Sequence, residues 1–138
     1  MDTVQIDTVR LDADTKIRLS TLKRRTGIEN WNTLCRWAFC LSLSDVTPLR
    51  NLQERGVGAI EMTWKTFAGD DDELYRLLLI RRAETDLGRT DHDALAKTIR
   101  QHIARGTARL AANRSMKSTK DLVGLALVED HSAASLTD

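Results

Sequence analysis

Hydrophobic residues fill nearly every position from Trp31 to Leu43, where Arg36 is the one charged residue. A surface helix has an apolar stripe about 100° wide and a polar back, so a helix that is apolar almost all round must be covered on every side. We therefore predict a buried helix that a partner subunit helps to cover. The expected oligomer core is Trp31, Leu34, Trp37, Phe39 and Leu41.

A short strand and a basic helix are predicted before this apolar helix. Polar and apolar residues alternate in Thr8–Leu11, as in a half-buried strand. Asp12 is a typical N-cap and Gly27 a typical C-cap, so they bound a helix that ends near Thr26. This strand, helix, helix order is also the ribbon-helix-helix pattern, in which two chains pair their strands and bury their second helices together.

Two longer helices are predicted in the second half of the chain. Residues 60–64 fit either a short strand or the start of a helix. An acidic turn at residues 69–73 starts a helix that ends near Asp86, and another helix follows over residues 91–113. A glycine costs helix stability, so Gly106 inside the last helix indicates a close contact with another helix.

The predicted fold is mainly α: a compact helical domain with an N-terminal strand-helix-helix unit, assembled as an oligomer. The length of 138 residues, with 41% hydrophobic and 30% charged residues, is typical of a single globular domain. We expect a flexible leader at residues 1–7, a globular core at 8–129 and a disordered tail at 130–138. A short apolar helix or docking segment is expected at residues 122–128.

The sequence indicates neither a targeting segment nor a disulfide. It has no run of roughly 18 apolar residues, and its first residues are acidic rather than apolar, so we predict a cytoplasmic protein without a membrane partner. Cys35 and Cys40 fall on different faces of the apolar helix. We interpret them as reduced core residues, with a redox or metal role as the alternative.

Positive charge is unevenly distributed along a chain whose net charge is only +1. Residues 16–25 carry five Lys or Arg and residues 94–120 carry seven, both without an acid, whereas residues 61–93 carry nine acids and five bases. Such asymmetry is typical of a face that binds a polyanion, although two solvated helix faces would give the same pattern. The candidate DNA-binding residues are Lys16, Arg18, Lys23, Arg24, Arg25, Arg100, Arg105 and Arg109.

The usual motifs of catalysis and metal binding are missing from the sequence. His92, His102 and His131 are isolated, and the chain has neither a phosphate-binding glycine loop nor a nucleophile motif. The acidic residues 70–73 could bind a divalent cation, but negative charge at a helix start is the simpler interpretation. We therefore predict no catalytic residue, no metal and no cofactor.

Several short strings of residues carry a family resemblance. They are Val-Arg-Leu-Asp at 9–12, Leu-Lys-Arg-Arg-Thr-Gly at 22–27 with the apolar string at 30–43, Glu-Met-Thr-Trp-Lys at 61–65, and His-Ile-Ala-Arg-Gly at 102–106. Together they resemble the DndE family of bacterial DNA phosphorothioation proteins over roughly residues 8–113. Asp12 stands where the family has Ser, and Ala104 stands where it has His. The second departure argues against catalytic use of a paired His.

The resemblance implies a component of the restriction-modification type of system that replaces a non-bridging oxygen of the DNA backbone by sulfur. In such systems partner proteins mobilise the sulfur and supply the ATP and iron-sulfur chemistry. The small member is implied to be a tetrameric DNA-binding subunit that prefers nicked duplex. DNA, further copies of the chain and the other phosphorothioation proteins are thus the implied partners.

We therefore predict a non-catalytic DNA-binding subunit, with two alternatives. One is a ribbon-helix-helix transcriptional regulator that reads bases from Thr8 and Arg10. The other is a metal-dependent DNA-nicking enzyme that uses residues 70–73. Arg36 is expected either in an ion pair, with Glu29 or with an acid of another subunit, or facing the DNA.

Overall fold

The computed structural model describes residues 6–50 and 52–113, and its elements in this part of the chain are mainly helical. In chain order they are β1 (Thr8–Leu11), α1 (Ala13–Thr26), α2 (Trp31–Leu43), β2 (Ile60–Thr63), α3 (Trp64–Ala68), a 3-10 turn (Gly69–Asp71), α4 (Asp72–Leu87) and α5 (His92–Ala112). The mainly α prediction is confirmed. The segment predicted at 122–128, the tail at 130–138 and most of the leader lie outside the described residues.

Both ends of α1 are fixed by the residues that the sequence indicated. The Asp12 carboxylate accepts a hydrogen bond from the backbone N–H of Thr15 at 3.0 Å. Gly27 takes the left-handed conformation with φ of 74°, and its N–H donates to the Lys23 carbonyl. At Asn30 the backbone is extended, as at a helix N-cap, but the side chain makes no capping hydrogen bond to α2.

The two strands form a small antiparallel sheet within one chain. Thr8 of β1 lies opposite Thr63 of β2, and Leu11 lies opposite Ile60. Residues 60–63 are thus a strand, and α3 begins directly after it at Trp64. A ribbon-helix-helix protein pairs this strand with the same strand of a second chain, whereas here β1 takes its partner from its own chain.

Helix α5 lies at the centre of the fold, packed against α1, α2, α4 and β1. Its closest approach is at Gly106, where a Cβ atom would lie 1.9 Å from the Ala38 carbonyl oxygen of α2. Only a residue without a side chain fits there, since heavy atoms at that distance overlap. The close helix contact predicted from Gly106 is confirmed.

The chain's own helices enclose much of the apolar helix α2. Leu34 and Phe39 have no exposed surface, and the Phe39 ring meets the Phe67 ring of α3 edge-on at 5.7 Å between centroids. Trp31, Trp37 and Leu41 are half-buried at the edge of the same core. A role of these five residues in an oligomer core stays a prediction, and only the last three leave surface for a second chain.

The two cysteines differ in their environment. Cys35 is buried, and burial raises the pKa of its thiol to about 12. Cys40 is exposed, because it lies nearly opposite the buried residue Ala38 on the helix, so its assignment to the core was wrong. Both are free thiols. Among the described helices, none is long and apolar enough to cross a membrane.

Candidate nucleic-acid interface

The candidate cations of α1 lie on three sides of the helix. At about 100° per residue, Lys16 and Lys23 fall on one flank and Arg24 points outward, directly away from the buried residues. Lys16 and Arg24 are exposed, and their side chains have no ion pair within the described part of the chain. The Lys23 ammonium lies over the Trp31 ring, 5.6 Å from its centroid. We call Lys16, Lys23 and Arg24 the open face of α1.

Arg18 and Arg25 lie on the other flank of α1 and hold it against α5. Arg18 Nε donates to Thr107 Oγ1 at 3.1 Å, and its Nη2 donates to the Ala104 carbonyl at 3.3 Å. Arg25 Nη1 donates to the Ala111 carbonyl at 2.8 Å, in the last turn of α5, where carbonyls lack helical partners. These two guanidinium groups therefore have structural partners already.

The candidate arginines of α5 are also engaged inside the protein. Arg100 Nε donates to Glu54 Oε1 at 2.6 Å, with both side chains about one-fifth exposed or less. Arg109 forms a close ion pair with Asp45. The backbone N–H of Thr47 and the Arg109 guanidinium together hold the pKa of the Asp45 carboxyl well below its usual range. Helix α5 carries a run of cations with no acid among them, and acids from distant segments of the chain, Glu54 and Asp45, pair with two of its arginines.

Arg105 binds the end of α2 through several hydrogen bonds. Its Nε donates to Ser42 Oγ at 2.8 Å, and its Nη2 donates to the carbonyls of Ser42 and Asp45 at 2.8 and 3.3 Å. Its Nη1 donates to the Thr47 carbonyl at 3.1 Å. These oxygens belong to the last turn of α2 and the loop after it, so Arg105 fixes the direction in which the chain leaves α2.

Arg82 of α4 reinforces the same turn from another side. Its Nη2 donates to the carbonyls of Asp45 and Thr47, both at 2.8 Å, and its Nε donates to Asp86 Oδ1 at 3.0 Å. The loop that follows α2 is therefore held by three guanidinium groups, that of Arg82 from α4 and those of Arg105 and Arg109 from α5.

A buried chain of hydrogen bonds joins these groups. His102 Nε2 lies 2.7 Å from Asp86 Oδ2, and His102 Nδ1 lies 2.7 Å from Ser42 Oγ. Ser42 and His102 have no exposed surface, and Asp86 is 2% exposed. The Asp86 carboxylate can only accept, so His102 Nε2 carries the proton between them, and in the neutral ring Nδ1 accepts from the Ser42 hydroxyl.

This arrangement has the residue order of a Ser-His-Asp triad, but its two ring nitrogens are exchanged and it lacks the accessibility of a triad. Burial lowers the pKa of His102 to about 4, although Asp86 opposes the shift and Arg82 and Arg105 add to it. A nucleophilic serine must reach its substrate, whereas Ser42 Oγ is enclosed and bonded to Arg105. The network therefore joins α2, α4 and α5.

Arg36 makes its contacts within its own chain and does not pair with Glu29, while its pairing with an acid of another subunit and its role at DNA stay predictions. Its Nη1 donates to the Phe67 carbonyl at 3.0 Å, near the end of α3, and its Nη2 lies 3.5 Å from Thr33 Oγ1. No acid forms an ion pair with it among the described residues, and it is half-buried rather than presented to solvent. The Phe67 carbonyl near the end of α3 accepts from its guanidinium instead.

The acidic turn before α4 is a helix start. Asp72 accepts from the Trp64 indole N–H and, at 2.9 Å, from Arg76 Nη2 one turn later, and these donors lower the pKa of its carboxyl. Within residues 6–50 and 52–113, no group of three or more His, Cys, Asp or Glu is placed to hold a metal ion.

A shallow groove lies next to the open face of α1, and we call it the Trp31 groove. Trp31 forms one wall, Ile60 and Met62 of β2 contribute apolar surface, and Lys16 contributes a cation at its edge. Its remaining lining residues are Glu29, Asn30, Asn32, Glu61 and Thr66. The groove therefore combines an aromatic ring, apolar surface, two amides, two carboxylates and one lysine.

Sequence reasoning identified the cations but could not divide them by role. Of the eight candidates, Lys16, Lys23 and Arg24 remain on an open surface, Arg109 is partly exposed in an ion pair, and four bind neighbouring elements. The buried network was missed. Arg82 and Asp86 at i and i+4, and His102 and Arg105 at i and i+3, were signals for it, since such spacings place polar groups on one helix face.

The part of the chain that the structure describes has a small, mainly helical fold with an open cationic face on α1. The family model "DNA sulphur modification protein DndE" matches residues 8–118. The chain therefore belongs to the DndE family, as its sequence strings indicated.

Two crystal structures support this assignment of the fold. DndE from Escherichia coli B7A, described as involved in DNA phosphorothioation modification, is 25% identical with a TM-score of 0.61, covering 78% of this chain and 99% of that one. A DndE mutant with two glycines replaced by lysine is 20% identical with a TM-score of 0.60, covering 79% and 100%. No curated protein matches the chain.

Proposed function

We propose that this protein is the small DNA-binding subunit of a bacterial DNA phosphorothioation system. It binds duplex DNA, and nicked duplex in preference, through the open face of α1. The observation that carries the proposal is that Lys16 and Arg24 are exposed and unpaired within the described residues. Membership of the DndE family supports the DNA partner and the modification system.

The subunit itself is non-catalytic in this proposal and works in the cytoplasm as a homo-oligomer, a tetramer. Sulfur mobilisation and the ATP and iron-sulfur chemistry belong to partner proteins of the system. The half-buried side chains of α2, Trp37 and Leu41, are the apolar surface that a second copy would cover. Repeating the open face of α1 in each copy multiplies the phosphate contacts available to one DNA molecule.

Within the eight candidates, the proposal assigns direct phosphate contact to Lys16, Lys23 and Arg24. Arg18, Arg25, Arg100 and Arg105 are assigned to holding the helices together, because each already donates to a carbonyl, hydroxyl or carboxylate of another element. Moving such a group to DNA would leave those buried or half-buried acceptors unpaired, which costs free energy.

A charge-reversal pair tests this assignment. Lys16→Glu with Arg24→Glu should weaken binding to duplex DNA at least tenfold near physiological salt, because each change replaces a phosphate contact by a repulsion. The matched control is Arg55→Glu with Arg81→Glu, two other exposed arginines whose side chains have no ion pair in the described residues. Binding is measured by fluorescence anisotropy of labelled duplex with the full chain.

The control pair separates a local effect from overall charge, since both double variants change the net charge by the same amount. The proposal predicts weak binding only for the α1 pair. Equal losses for the two pairs would mean that overall charge governs binding. Unchanged binding by the α1 pair would remove the open face of α1 from the interface.

A further inference from the structure

The Trp31 groove has the chemical groups that hold an unstacked nucleobase. Trp31 is half-buried, so part of its ring stays accessible, and Ile60 and Met62 are partly buried against the core beside it. Asn32 donates through Nδ2 to the Thr66 carbonyl at 3.2 Å, which leaves its Oδ1 as an acceptor. A base has a flat face for an aromatic ring and polar edges for amides.

The amide of Asn30 adds to this set. Asn30 occupies the N-cap position of α2, but its side chain makes no capping hydrogen bond, and the residue is exposed. Its donor and acceptor groups thus stand at the groove beside Trp31. A side-chain amide has both donors and acceptors, so it can pair with the edge of any base.

The charges around the groove favour a base inside it and phosphates outside it. Glu61 also lines the groove, but it accepts from Arg10 at 3.0 Å and is partly neutralised. Glu29 is exposed and has no ion pair in the described part of the chain. A phosphate in the groove would be repelled by Glu29, whereas a base carries no charge and can donate to a carboxylate from its amino group.

Cations adjoin the groove on the side of α1. Lys16 lies at its edge, and the Lys23 ammonium lies 5.6 Å from the centroid of the Trp31 ring. Arg24 follows on the outward side of α1. A strand that placed one base against Trp31 would therefore bring its neighbouring phosphates to the open face of α1.

We propose that the Trp31 groove binds one unpaired base of a DNA strand while the flanking phosphates lie on Lys16, Lys23 and Arg24. The inference rests on the proposed function, because it uses the same cations to bind DNA. Intact duplex keeps its bases paired and stacked, so it can occupy only the cationic part. An interrupted duplex can release a base into the groove, and the groove then distinguishes interrupted from intact DNA.

The test compares an intact duplex with the same duplex carrying a short single-stranded gap, using the full chain and fluorescence anisotropy. Trp31→Ala should lower affinity for the gapped duplex about tenfold, as for the loss of one aromatic stacking contact, and leave intact duplex unaffected. Trp31→Leu keeps an apolar side chain over the core but lacks the flat ring, so it should show the same loss. Trp31→Phe should restore most of the preference for gapped DNA.

Leu77→Ala is the control, because Leu77 is an exposed apolar residue of α4 that does not line the groove. It should leave the preference for gapped DNA unchanged. Wild-type preference in Trp31→Leu, or equal losses on both DNAs in the Trp31 variants, would overturn the proposal. Dissociation of the oligomer by Trp31→Leu in sedimentation would also overturn it, since the groove would then be a subunit contact.

Failure of the proposed function would look different. If the Lys16 and Arg24 charge-reversal pair left binding to intact duplex unchanged, the assignment of the open face of α1 to DNA would be wrong, whatever the result for the Trp31 variants. If that pair weakened binding to intact duplex as expected, but the Trp31 variants kept the full preference for gapped DNA, only the base-binding inference would fail.

Discussion

Gly106 shows how a single residue sets the distance between two helices. A Cβ atom at this position would lie 1.9 Å from the carbonyl oxygen of Ala38 and 2.7 Å from its Cα. The obstacle is backbone, so no side-chain rotation can relieve it. The closeness of α2 and α5 therefore depends on a residue that would otherwise weaken the helix it belongs to.

We expect Gly106→Ala to destabilise the protein by about 3 kcal/mol or more, because the methyl group forces α2 and α5 apart and loosens the core between them. Denaturant unfolding followed by circular dichroism gives the free energy of unfolding. Ala108→Ser, on the exposed side of the same helix, is the control and should change it by less than about 0.5 kcal/mol. A Gly106→Ala protein as stable as the control would contradict the observed packing.

His102 gives the protein a pH dependence with a defined direction. Its folded-state pKa, about 4, lies below the ordinary value of 6.5, so between these pH values the unfolded chain binds more protons than the folded one. The stability associated with neutral His102 is therefore complete above pH 6.5 and is lost as the pH falls towards 4. The pKa of Asp45 is lowered from 3.8, so its contribution to stability is lost only below this pH range.

We predict that the free energy of unfolding falls by up to about 3 kcal/mol between pH 6.5 and pH 4. His102→Gln should flatten the profile in this window, at some cost in stability, because the amide has no charge to gain. His92→Gln changes an exposed histidine and should keep the wild-type slope. Identical slopes in the two variants would show that other groups cause the dependence.

At the scale of elements, the sequence predicted what local rules determine. The caps at Asp12 and Gly27 bound α1 as expected, and the close contact at Gly106 followed from a glycine in an otherwise regular helix. These features depend on neighbouring residues, and the sequence contains that information directly.

The sequence could not show which elements meet across long separations. β1 pairs with residues 60–63 across 49 to 55 residues of the chain, and Arg105 binds Ser42 at the end of α2 across 63. The sequence pattern alone suggested a pairing between two chains for β1 and a DNA contact for Arg105. Charge runs show where cations occur, but the fold decides which of them meet carbonyls and acids of their own chain.

The turn after α2 offers a test of this long-range role. Arg105→Lys should destabilise the protein by about 2 kcal/mol, because an ammonium group cannot reproduce the planar set of donors that binds Ser42, Asp45 and Thr47 together. Arg81→Lys, at an exposed position of α4, is the matched control and should be neutral. Thermal unfolding measures the stability of the two variants against the wild type. If Arg105→Lys were also neutral while DNA binding fell, Arg105 would belong to the DNA interface.

In the whole molecule, the described cations divide into those that stabilise the fold and those that we propose bind DNA. Arg18, Arg25, Arg82 and Arg105 join helices, and the open face of α1 remains. Most of the other arginines in the described residues donate to acids or carbonyls of their own chain, so a chain of nearly neutral net charge can still present a cationic surface on α1. The family assignment rests on the sequence match, and the division of roles rests on these contacts.

The salt dependence of duplex binding tests the central claim most directly. Each phosphate contact contributes about −0.9 to the slope of log affinity against log salt concentration. We predict a steep slope for the wild type and the same slope for the Arg55 and Arg81 pair. For the Lys16 and Arg24 charge-reversal pair, the slope should be shallower by the contribution of about two phosphate contacts. Equal slopes for all three proteins would contradict the assignment of the open face of α1 to DNA.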